Sequence, residues 1–83
     1  MQPSTTTIDV LLFAALREQA GWARRTVLLT GSATPLQCWK QLQLGSEQIP
    51  TSIRVAINQR FAAADSSLQA GDELAFLPPI SGG

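Results

Sequence analysis

The residue types that could do chemistry in this chain are few. It has no histidine, one cysteine and one lysine. Without histidine the usual neutral-pH acid/base and the commonest metal ligand are both missing. One cysteine allows neither an internal disulfide nor a multi-cysteine zinc site. GxxxxGK, GxGxxG and HExxH are all absent. Cys38 reads either as a reactive thiol or as a small buried hydrophobe, and its neighbours Trp39 and Leu42 favour the second. Lys40, on the same segment, reads as a solvated helical side chain. What remains is the last pair, Gly82-Gly83.

A Gly-Gly end reads as a frayed terminus or as a carboxylate carried on a thin stalk. The preceding residues favour the stalk. Pro78-Pro79 fix their own φ and hold each preceding residue extended. The four residues Ile80, Ser81, Gly82 and Gly83 then reach about 13 Å. Two residues without Cβ can enter a narrow channel in any backbone conformation. An α-carboxylate, with a pKa near 3.5, is an anion at neutral pH and a weak nucleophile. It reacts only once activated, for example as an acyl adenylate. The chain has no phosphate loop, so ATP is used in trans by another protein and no cofactor is bound here.

The elements that position this tail follow from the pattern. Ile8–Phe13 is a compact apolar run and predicts a strand. Ala14–Ala20 predicts a short helix stopped by Gly21. Arg25–Leu29 predicts a second strand. Thr34-Pro35 is a helix start, and Leu36, Trp39 and Leu42 give an amphipathic stripe ending near Gly45. Ile53–Ile57 predicts a strand turned by Asn58-Gln59, with a short return over 60–63. Leu68–Asp72 reads as a loop and Glu73–Leu77 as the last strand, ended by Pro78-Pro79. The fold class is α+β, a sheet with one main helix packed on one face. Residues 1–7 read as a flexible N-terminus and 8–83 as a single domain ending in the tail 80–83.

The bulk numbers bound the partners. Six basic and six acidic residues give a net charge of zero, which speaks against nucleic acid or an acidic membrane surface. Charged residues are 14% of the chain, against roughly 25% in ordinary soluble domains. Such a surface suits a chain that buries part of itself against a protein. A free cysteine and no targeting segment point to the cytoplasm.

Val10–Gly21, Val55–Gln59 and above all Gly71–Gly83 resemble the small, sulfur-carrier subunits of molybdopterin synthase, a ubiquitin-like sulfur carrier family. The resemblance spans Ile8 to Gly83. It implies a ubiquitin-like β-grasp with a mixed sheet. It also implies that an adenylating enzyme joins AMP to Gly83 and that sulfur is installed there as a thiocarboxylate. The tail then enters the large subunit of a heterotetramer of two small and two large chains. There it gives sulfur to cyclic pyranopterin monophosphate in molybdenum cofactor biosynthesis. The carrier is then no enzyme alone, with the catalytic side chains on the large subunit. A thiamine-pathway sulfur carrier, a protein modifier and a plain interaction domain are the other readings.

In a β-grasp the first and last strands are parallel neighbours. Strand alternation puts Val10, Leu12, Leu74 and Phe76 under the helix, with Leu11, Phe13, Ala75 and Leu77 on the open face. That set reads as a docking patch beside Pro78 and Pro79, or as a surface covered by a loop. Arg17 pairs with a partner carboxylate on the first reading and is simply solvated on the second.

Overall fold

Thr5–Leu12 form strand β1, the longest strand of a five-stranded sheet in the computed structural model, which describes residues 5–79. The remaining elements are α1 (Ala14–Ala20), β2 (Arg24–Thr30), α2 (Pro35–Leu42), β3 (Arg54–Ile57), β4 (Arg60–Ala62) and β5 (Glu73–Leu77). The sheet order is β2-β1-β5-β3-β4. β1 and β5 are parallel, with Asp9 opposite Glu73 and Leu12 opposite Phe76. The other neighbours are antiparallel, so the sheet is mixed. The tail residues Ile80, Ser81, Gly82 and Gly83 lie outside the described residues.

Several strand ends shift by one residue from the sequence expectation: β1 stops at Leu12, β2 gains Arg24 and Thr30, β3 starts at Arg54 and β4 stops at Ala62. Two further differences are larger. β1 begins at Thr5, so Thr5–Thr7 are strand and not part of a loose end. Three β-branched residues favour the pleat, and they pair with Leu28, Leu29 and Thr30 of β2. Helix α2 ends at Leu42 and not near Gly45. Gln43 takes the left-handed cap conformation, φ 54° and ψ 51°, and its amide donates to the Lys40 carbonyl at 3.1 Å. The start of α2 follows its sequence signal. The Thr34 hydroxyl accepts from the Gln37 amide at 3.1 Å, and Pro35 fills the first turn. Gly21, at φ 84°, closes α1 by donating its amide to the Arg17 carbonyl at 2.9 Å. Its positive φ is one that a side chain would oppose.

The core lies between the sheet and α2. Ile8, Val10 and Leu12 of β1 alternate inward to meet Leu74 and Phe76 of β5, all at most 1% exposed. Trp39 of α2 stands edge-on to Phe76, with ring centroids 5.2 Å apart and planes at 72°. Its indole N–H donates to the Ser46 carbonyl at 2.8 Å, which satisfies the one polar atom it buries. The expected loop 68–72 is anchored here as well. Leu68 is buried, and its amide donates to the Ala33 carbonyl at 2.8 Å.

Cys38 is fully buried in this layer, and burial pushes its thiol up from 9.0 to about 12. A buried neutral thiol is neither nucleophile nor metal ligand. The folded state favours the protonated form. Its contribution is therefore complete below pH 9 and is lost as the pH rises toward 12. In native buffer an aromatic disulfide reagent should leave Cys38 untouched and label it fully after unfolding. Cys38→Ala should support the chain's function unchanged. Rapid labelling of the native protein would show that this layer opens readily.

Candidate functional site: the open face and the stalk

The face of the sheet opposite α2 is built by register. Leu11, Ala75, Ala56 and Phe61 lie directly across from one another on β1, β5, β3 and β4. Leu77 lies opposite Arg54 in the next row toward the end of β5. Phe13 follows β1 as the extended residue that opens α1, with φ −129° and ψ 156°. It lines a groove with Leu77, Pro78 and Pro79. The sheet thus brings Leu11, Phe13, Leu77, Pro78 and Pro79 to one end of one face. Phe13 is 40% exposed, and Leu11, Leu77 and Pro78 are half-buried. No loop of the described residues covers them.

Ala75 departs from the exposed role expected for it. It is 9% exposed, because a methyl group on the central strand is shadowed by Leu11 on one side and Ala56 on the other. Ala75 is the floor of the patch rather than part of its rim. Arg17 is exposed on α1, and it is Glu18 that faces the stalk, lining the groove of Phe13 and Pro79 together with Ala14 and Ala15. Sequence reasoning missed Phe61 and Arg54. Phe61 is 68% exposed, and the Arg54 guanidinium carbon sits 4.9 Å over its ring. A second groove holds Ser52, Arg54, Phe61, Leu77, Pro78 and Pro79. Alternation continued through the Asn58-Gln59 turn was the signal that could have placed Phe61 beside Ala56.

The far end of the same face is polar. Asp9 accepts from Arg24 at 2.8 Å and from Thr26 at 3.0 Å, and lies beside Glu73. Those two hydrogen bonds, Arg24 first, hold the Asp9 carboxyl below its ordinary range. Asn58 ties the turn to β5: its side-chain oxygen accepts from the Glu73 amide at 3.0 Å and its amide donates to Asp72 at 3.0 Å. Both turn residues have positive φ, 52° and 69°, as a two-residue hairpin with strand-matched twist requires. The open face is therefore polar at one end and apolar at the end from which the stalk leaves. Among the described residues no group of acidic or sulfur side chains could hold a metal ion. No helix of the described residues is long and apolar enough to cross a membrane.

A mixed sheet in this order, one capped main helix and a proline-stiffened exit beside an apolar patch define a ubiquitin-like β-grasp protein. The comparisons narrow the class. The chain belongs to the ThiS family, whose model matches residues 10–83. It is 35% identical to the molybdopterin synthase sulfur carrier subunit of Arabidopsis thaliana, over 96% of this chain and 86% of that one. Among solved structures it resembles SAMP1 from Haloferax volcanii, with a TM-score of 0.80 and 33% identity over 93% of this chain and 99% of that chain. Its fold is also that of a chain in the complex of subunits 1 and 2 of molybdopterin-converting factor from Helicobacter pylori. There the TM-score is 0.62 and identity 18%, over 94% of this chain and 100% of that chain.

Proposed function

We propose that this chain is the sulfur-carrier subunit of a molybdopterin synthase and works in the cytoplasm. The observation that carries the reading is the 35% identity, across 96% of the chain, to a plant protein of that role. Gly83 holds the reacting carboxylate. An adenylating enzyme joins AMP from ATP to it and releases pyrophosphate. Sulfide then attacks the acyl carbon, AMP leaves, and a thiocarboxylate remains. The open face docks on the large subunit through Leu11, Phe13, Leu77, Pro78 and Pro79 over the Ala75 floor, with Arg17 at its margin. Ile80, Ser81 and Gly82 fill the channel that leads Gly83 to cyclic pyranopterin monophosphate.

The thiocarboxylate sulfur bonds to the pterin, and water cleaves the resulting thioester, so the sulfur stays on the pterin and Gly83 returns to a carboxylate. Catalytic side chains reside on the large subunit, in a heterotetramer of two small and two large chains. The Helicobacter pylori complex of like fold supports a two-subunit arrangement. The test is reconstitution with adenylating enzyme, ATP and sulfide. Intact mass should rise by the difference between sulfur and oxygen, mapped to the last peptide, and the product should convert the pterin once the large subunit is added. An unchanged last peptide, or a thiocarboxylated chain that yields no molybdopterin, would overturn the reading.

The 33% identity to SAMP1, which belongs to the small archaeal modifier proteins, favours a second reading as a protein modifier. In that case Gly83 forms an amide with a lysine of another protein, and affinity capture retrieves many conjugates of rising mass. A carrier for the thiamine pathway would instead retrieve a thiazole synthase.

A further inference from the structure

The stalk leaves the sheet between two charges of opposite sign. Glu18 of α1 lines the groove on the β1 side, and Arg54 of β3 lines the groove on the β4 side. Among the described residues the ion pair Arg24–Asp9 involves neither of them. Arg54 is exposed, lies across from Leu77, and rests over the Phe61 ring at 4.9 Å. Contact with a ring restricts the guanidinium before any partner arrives, so less ordering entropy remains to be lost on binding. A partner that covers Phe61 and Leu77 also strips water from Arg54. A guanidinium dehydrated without an anion is strongly disfavoured, whereas a carboxylate matches its fork in two parallel hydrogen bonds.

We propose that Arg54 is a specificity-determining residue of the docking face: the large subunit that receives the tail presents a carboxylate to Arg54 beside its channel mouth. The opposite charge at Glu18 makes the site bipolar across the stalk, so a docking pose turned half around sets like charges together. Complementary charge of this kind selects partners and fixes orientation. The inference rests on the carrier reading and adds to it the chemistry of the partner's rim.

The experiment is calorimetric titration of the full chain with its large subunit, with thermal melting of each variant alongside. Arg54→Glu should weaken binding about 30-fold or more, as expected of a central charged anchor. Arg54→Met, which keeps the apolar stem on Phe61, should lose nearly as much, and Arg54→Lys should recover only part. Exchanging the partner's carboxylate for a lysine should restore binding to Arg54→Glu. Melting should stay unchanged throughout, since Arg54 is exposed. Wild-type affinity for Arg54→Met would mean that packing alone matters and would overturn the proposal. So would a loss confined to the adenylating enzyme. Leu77→Asp serves as the reference: if it fails to bind while Arg54→Glu binds normally, the proposal falls and the docking face stands. If both bind normally, the docking face itself is misplaced.

Discussion

A chain lacking Gly83, or extended by one residue beyond it, should transfer no sulfur yet dock and melt like the original. On the proposed carrier reading the loss should be complete rather than graded, because that reading makes the backbone carboxylate of Gly83 the reacting group, for which no side chain can substitute. Deletion puts the carboxylate on Gly82, one residue or about 3.3 Å short of the reacting centre. Displacements of that size are ruinous where catalysis depends on near-attack geometry. Extension replaces the carboxylate with an amide that cannot be adenylated. The core of Trp39, Phe76 and the β1–β5 pairing lies wholly upstream, so stability should hold. The measurements are molybdopterin yield in the reconstituted system, intact mass and the melting curve. Sulfur transfer by an extended chain that stays untrimmed during the assay would remove the carrier mechanism.

Leu77→Asp and Phe13→Asp should each weaken binding to the large subunit by about 2–4 kcal/mol, the range of an apolar anchor in a desolvated interface. Both side chains point away from α2, and both line the groove beside Pro78 and Pro79. An aspartate there remains hydrated in the free chain and becomes an uncompensated charge when the partner closes over it. Fold should be largely kept: Phe13 is 40% exposed and Leu77 is half-buried, whereas Phe76, one residue earlier, is fully buried. Phe76→Asp is the contrast, and it should unfold the chain. Titration calorimetry and melting separate the two classes. Normal binding with a collapsed melting temperature for Leu77→Asp would place that residue in the core.

What was legible in the sequence was what depends on short-range period and caps. Val10 and Leu12 against Leu11 and Phe13 fall on opposite faces because a strand repeats every two residues. Thr34-Pro35 announces α2 through a hydroxyl and a fixed φ, both local. The features missed depend on distant partners. Thr5–Thr7 carry β-branched side chains but no apolar alternation, and pairing with β2 makes them strand. Leu68 is an isolated apolar residue in a polar stretch, and its burial needs the Ala33 carbonyl brought near by the fold. Gln43 as a left-handed cap has no compositional signal, unlike Gly21. Phe61 sits in a three-residue strand whose period shows only when it is carried across the turn from β3, and its contact with Arg54 exists only across the β3–β4 register. The two-residue period puts Ala75 on the open face, but its exposure depends on the neighbours that the register sets beside it, Leu11 and Ala56.

The strand that delivers the stalk has a mechanical consequence. β5 is the middle strand of five, bonded to β1 on one side and to β3 on the other. Ladder hydrogen bonds run across the strands, so a pull directed along Pro78-Pro79 stresses both ladders in shear, with their bonds sharing the load. An edge strand such as β2 or β4, pulled the same way, would have a single ladder to carry the load. On the carrier reading, a tail anchored this way would be drawn into the partner and withdrawn again while the sheet stays whole. The protein is built like a tether spliced into the middle of a cloth rather than sewn to its hem.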